Sequence, residues 1–182
     1  ICTAGGFFLD EVTNCNHKAT MEKKDWTKLS FAYSQTNTVL TCLYKDGKWG
    51  PIESQTAATL NLTVFSPSLH YGMSCFEGLK AFRGADDKVR IFRMDENARR
   101  MQSSAGFLGI PCPDEELFKK MCIQAVKENL DYLPPYELRA SLYIRPILIT
   151  TIPSINLVPQ QDGIMFMVIT LPVGSYAGKV LD

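Results

Sequence analysis

The chain is poor in the residues that metal and polyanion sites require. Only two histidines occur among 182 residues, His17 and His70, and the six cysteines, at positions 2, 15, 42, 75, 112 and 122, include no CxxC pair. Zinc sites draw on clustered Cys and His, so no metal ligands are assigned. Net charge is lacking too, because 19 Lys+Arg balance 19 Asp+Glu. That leaves no overall field to attract nucleic acid or an anionic membrane. A long apolar run is missing as well. The nearest to one, Ile164 to Leu171, ends at Pro172 and falls far short of the ~20 residues that span a bilayer. The start, ICTAGGFFLDEV, has no initiating Met and no secretory n-region or h-region. The expectation is a cytoplasmic protein with reduced thiols, an organellar location being left open.

What is present is enough to build a core, with 46% hydrophobic and 21% charged residues. Asn37 to Tyr44, rich in Thr, Val and Leu, reads as a strand entering a hairpin with Asp46-Gly47 at its tip. Gly78 to Phe82 and Val89 to Phe92 read as two more strands joined through Gly84 to Lys88, in a largely antiparallel meander. Asp95 is the expected N-cap of a helix whose stripe is Ala98, Met101, Ala105 and Leu108, stopped by Gly109 and Pro111. A second helix is expected from Pro113 and Asp114, packing through Phe118, Met121, Cys122 and Ala125 and ended by Pro134 and Pro135. Ser141 to Ile149 alternates, with Leu142, Ile144 and Leu148 on one face and Ser141, Tyr143, Arg145 and Ile147 on the other. Gly163 to Leu171 is nearly all apolar and reads as a strand covered on both faces.

Chemistry enters through a few of these residues. Arg99 and Arg100 both lie off the apolar stripe of their helix, and periodicity does not separate them. Tyr143 and Arg145 place a phenol and a guanidinium on one strand face, which is equally the pattern of a solvent-facing side. Tyr71 and Phe76 could be core aromatics, and Ile155 and Leu157 could be loop anchors.

The ordered motifs LHYGMSCFEGLKAFRG, VRIFR, MDENARRM, SLYIRP, TTIPS and PVGSY, within Trp26 to Tyr176, resemble those of branched-chain amino acid aminotransferases, fold type IV pyridoxal phosphate enzymes. The resemblance implies an α+β fold, a mainly antiparallel sheet with packed helices, as in the N-terminal domain of those enzymes. It implies an extension over residues 1–20, the domain over 21–172 and the start of an interdomain linker over 173–182. It selects Arg100 as the ligand of the pyridoxal 5'-phosphate phosphate, a role suited to a planar fork that donates paired hydrogen bonds. Tyr143, Arg145 and Phe76 would face the substrate, Tyr71 would reach into the neighbouring subunit of a homodimer, and Ile155 and Leu157 would lend aliphatic side chains across that interface. Tyr176 would close over the substrate, although the AGKVLD that follows departs from the family.

The activity so implied is ping-pong transfer of the amino group of Leu, Ile or Val to 2-oxoglutarate. The family's Schiff-base lysine lies beyond Asp182, so no catalytic residue is assigned. Lys80 and Lys179 fall at non-catalytic positions and are expected to be solvated. The chain alone is expected to be inactive. Other readings are an isolated non-catalytic or dimerisation module, and a D-amino acid aminotransferase or aminodeoxychorismate lyase of the same fold type.

Overall fold

A computed structural model describes residues 9–11, 26, 29 and 32–174 of the chain. Within them the strands are β1 (Leu9–Glu11), β2 (Val39–Lys45), β3 (Lys48–Trp49), β4 (Glu53–Gln55), β5 (Ser74–Phe76), β6 (Leu79–Arg83), β7 (Val89–Phe92), β8 (Ser141–Thr150) and β9 (Ile164–Val173). The α-helices are α1 (Pro67–Tyr71), α2 (Met94–Leu108) and α3 (Glu115–Glu128). One sheet runs in the order β1-β7-β6-β8-β9-β2-β3, with β4 against β2 and β5 against β8. Every pairing in it is antiparallel. The expected α+β architecture is therefore the one found.

Local chemistry explains several elements. Asp46 and Gly47 both take positive φ, 52° and 77°, the backbone a two-residue hairpin needs to match strand twist. Asp114 caps α3 by accepting the Leu117 N–H at 2.8 Å, which satisfies a backbone donor that the helix leaves orphaned. On the core side Leu40, Leu142, Ile144, Leu148, Ile164, Phe166 and Val168 are fully buried beneath Phe118, Met121 and Cys122 of α3 and Met94, Ala98 and Met101 of α2. Phe118 stacks on Phe166 with ring centres 5.9 Å apart. Each such Leu, Ile or Phe contributes about 1.5–3 kcal/mol by leaving water.

Three expectations need correction. Asp95 does not cap α2. Arg93 occupies that position with a left-handed φ of 52° and no side-chain cap bond. Asp95 and Glu96 stand in the first turn, where the positive helix end favours acids. α3 ends at Glu128, well before Pro134, because the Asn129 side chain donates to the Ala125 carbonyl at 2.8 Å and its backbone N–H turns to Val126. A short 3-10 turn, Leu130–Tyr132, then leads to the prolines. β9 is covered on one face only. Ile164, Phe166 and Val168 are buried, while Met165, Met167, Ile169 and Leu171 are half-buried, on the same side as Tyr143 and Arg145.

Candidate active site

A proline shapes the centre of the site. β5 and β6 are two pieces of one path along β8, the first pairing with Ile147 to Ile149 and the second with Leu142 to Ile144. The interruption at Glu77-Gly78 lies opposite Pro146, which has no N–H to give the ladder. Its carbonyl still accepts the Glu77 N–H, at 2.9 Å. Glu77 is thereby fixed in the gap, its side chain 8% exposed.

Above that gap α2 brings two residues onto the Glu77 carboxylate. Arg100 donates from Nε to Oε1 at 3.0 Å and from Nη2 to Oε2 at 2.5 Å. Asn97 donates from Nδ2 to Oε2 at 2.8 Å and to the Gly78 carbonyl at 3.3 Å. Burial pushes the Glu77 carboxyl up, but the Arg100 and Asn97 hydrogen bonds and the Arg100 charge outweigh it and hold it below the ordinary glutamate value. The same pairing holds Arg100 charged.

Arg99 is placed differently. Its guanidinium turns back on its own helix, donating to Glu96 at 2.6 Å and to Asp95 at 2.8 Å. These are exposed pairs of the kind that contribute little. Geometry thus separates two arginines that periodicity left equivalent.

Arg100 and Asn97 open onto a cleft of about 520 Å³ lined also by Gly78, Leu79, Lys80, Phe82, Phe92, Arg93, Glu96 and Tyr143. Lys80 lines it half-buried, opposite Tyr143 in the ladder, so the expectation of a solvated lysine is corrected. Tyr143 reaches Arg145, whose Nη2 donates to the phenol oxygen at 3.0 Å. The Arg145 guanidinium lies 4.3 Å from the centre of the Phe76 ring, a cation–π contact that keeps it level with the sheet face. Arg100, Tyr143, Arg145 and Phe76 therefore form one continuous group.

Tyr71 and Ile155 belong to a second group. The Tyr71 hydroxyl donates to the Ile155 carbonyl at 2.5 Å, tying α1 to the loop after β8. Ile155 and Leu157 remain 63% and 74% exposed. Tyr176 and Lys179 lie outside the described residues. Among the described residues no cluster of His, Cys, Asp or Glu could hold a metal ion, and no helix is long and apolar enough to cross a membrane.

Glu77 is the site residue that the sequence reading passed over. The available signal was an acid set beside a glycine between two strand-like segments, where a buried charge needs a partner.

No family model matches the chain. Solved structures with the same fold are aminotransferases. The branched-chain aminotransferase of Thermoproteus uzoniensis, solved with norvaline, superposes with a TM-score of 0.57 at 29% identity, over 78% of this chain and 42% of that one. The branched-chain enzyme from T.th., solved with pyridoxamine 5'-phosphate, gives 0.56 at 27%, over 80% and 43%. These likenesses place the fold among those of aminotransferases. Curated relatives carry the identification further. The branched-chain-amino-acid aminotransferases of Helicobacter pylori and Haemophilus influenzae are 41% and 42% identical over 156 residues, 86% of this chain. The chain belongs to the branched-chain-amino-acid aminotransferase family, and it spans less than half the length of these relatives, 46% and 45%. The D-amino acid and lyase readings are not favoured by these relatives.

Proposed function

We propose that this chain forms the phosphate grip and one substrate wall of a pyridoxal 5'-phosphate-dependent branched-chain aminotransferase, acting as a cytoplasmic homodimer. The observation that carries the reading is the Arg100 fork, held by Glu77 over a cleft lined by Tyr143, which Arg145 and Phe76 adjoin. Residues 21–172 would be the N-terminal domain, with residues 1–20 an extension and 173–182 the start of the linker.

The donor set fits a phosphate ester. Arg100 keeps Nη1 and one N–H of Nη2 for it, and Lys80 lines the same cleft, as does Arg93, whose guanidinium pairs with Glu96 at 3.1 Å. When bound, pyridoxal 5'-phosphate supplies the aldehyde and the electron-accepting ring that transamination requires. Arg145, fixed by Tyr143, is suited to orient a substrate carboxylate, including the second carboxylate of 2-oxoglutarate. Phe76 offers the apolar surface that favours leucine, isoleucine and valine, each buried methylene contributing about 0.8 kcal/mol. Tyr71, Ile155 and Leu157 would complete the neighbouring subunit's pocket, and Tyr176 would close over the substrate.

The test uses the product of the complete reading frame that encodes this chain. Glutamate formation from 2-oxoglutarate with leucine, isoleucine or valine is expected. Turnover of D-alanine or aminodeoxychorismate, without that of the branched-chain substrates, would reject the reading. The 182-residue chain on its own, incubated with pyridoxal 5'-phosphate and borohydride, is expected to give no adduct at a specific lysine.

A further inference from the structure

The carboxylate beneath the Arg100 fork calls for an explanation, because an anion beside a phosphate site opposes the ligand. We propose that Glu77 is the positioning residue of that site, fixing the Arg100 guanidinium so that its outer edge stays aimed into the cleft. This rests on the reading of Arg100 as the phosphate ligand.

A guanidinium has five N–H donors in one plane. Glu77 takes the inner edge, the Nε–H and one Nη2–H. Three donors remain, two on Nη1 and one on Nη2, and these form the end-on fork that pairs with two phosphate oxygens.

The anchor in this pair is the carboxylate. The Glu77 side chain is 8% exposed and that of Arg100 is 64% exposed. Glu77 is also tied from two other directions, by the Asn97 side chain at 2.8 Å and through its own N–H to Pro146 at 2.9 Å. An exposed arginine left to itself samples many rotamers, and fixing it at the moment of binding costs side-chain entropy. Glu77 removes that cost beforehand, while its charge repels the phosphate. The two effects have opposite signs, so a mutation shows which one dominates.

Dissociation constants for pyridoxal 5'-phosphate and for pyridoxal, which lacks the phosphate, would be measured in the product of the complete reading frame. Glu77→Gln keeps the shape but faces the guanidinium with an amide N–H₂ in place of one oxygen. It is expected to weaken pyridoxal 5'-phosphate binding on the order of tenfold, by analogy with the loss when a group that orients a metal-binding side chain is removed. Pyridoxal binding should be unchanged, and Glu77→Gln should add no further loss in an Arg100→Ala background. Glu77→Asp retracts the carboxylate by one methylene and should weaken binding in the same direction, which provides the readout should the Gln variant not fold.

Unchanged or tighter pyridoxal 5'-phosphate binding in Glu77→Gln would overturn the proposal while Arg100→Ala still weakened binding, leaving the phosphate reading intact. Equal losses for pyridoxal and its phosphate would mark a structural role only and would also overturn it. No effect of Arg100→Ala would remove the phosphate reading itself, and the proposal with it.

Discussion

At Gly78 the fit between strands leaves no room for a methyl group. A Cβ there would lie 2.6 Å from the Tyr143 hydroxyl and 3.2 Å from its ring. Gly78→Ala should push Tyr143 aside and break its bond with Arg145; in the product of the complete reading frame, if it has the proposed activity, the KM for 2-oxoglutarate should rise roughly tenfold or more, since small displacements of positioning groups are costly. A KM within twofold of the parent would show that the ring moves without consequence. Arg99 and Arg100 offer a second contrast. Arg100→Ala should weaken cofactor retention on dialysis far more than Arg99→Ala, and equal losses would mean that the wrong arginine was assigned. Glu77 adds a pH dependence. Its folded carboxyl holds its proton less firmly than an ordinary glutamate, so the unfolded chain binds more protons in that range and stability rises with pH. The contribution is present above the ordinary glutamate value and is lost as pH falls through the lowered one. Urea midpoints compared between pH 7 and the acid range should fall less in Glu77→Gln than in the parent. Residue roles were only partly legible in the sequence. Arg100 was nominated through its motif, whereas its partner lies 23 residues away, and that pairing exists only once α2 folds over the β5–β6 gap.

Helix starts show how local signals compete. Both Asp95 and Asp114 precede apolar stripes and carry acids beside them, yet only Asp114 caps a helix. The difference is the chain before each. Asp114 follows a proline-rich loop and takes an extended backbone, φ −67° and ψ 172°, as an N-cap requires. Before Asp95, β7 runs on to Phe92 and leaves one residue, Arg93, to turn the chain, which it does in the left-handed region. That conformation costs roughly 1–2 kcal/mol for a residue with a Cβ, and the packing of Met94 and Ala98 holds it in place. Asp114→Ala should therefore cost about 1 kcal/mol in equilibrium unfolding, and Asp95→Ala only a few tenths, as for a first-turn acid that makes no cap bond and pairs with an exposed arginine. A larger loss at Asp95 would contradict this assignment. The β6–β7 meander and the β2–β3 turn were legible because their signals are local, whereas the pairing of β8 with β6 and β9, and of β2 with β9, joins segments far apart in the chain. The covering of β9 was not, since an apolar strand reads alike whether one face or both are buried.

For the molecule as a whole, the α+β class came from the family resemblance, with which the strands and helices read along the chain agree, but which surfaces are left bare could not be read. Helices α2 and α3 cover one side of the sheet, and a separate apolar region gathers around α1 and the loop after β8. There Val64, Phe65, Leu69, Ile155, Leu157 and Val158 are each more than half exposed, and the Phe65–Ser154 and Tyr71–Ile155 hydrogen bonds hold the two segments together. Scattered exposed apolar residues are ordinary, whereas a group held together in this way is the surface that the proposed homodimer would use. Phe107, 93% exposed on α2, serves as an isolated control. Placing a charge in the group should weaken self-association, because an unpaired carboxylate would have to leave water at the contact. In the product of the complete reading frame, Leu157→Glu is expected to raise the dimer dissociation constant in sedimentation equilibrium at least tenfold, and Phe107→Ser to leave it unchanged. If the dimer is as tight with Glu at position 157 as with Leu, the α1 surface is not where two copies meet, and Tyr71, Ile155 and Leu157 lose their proposed role in a neighbouring pocket.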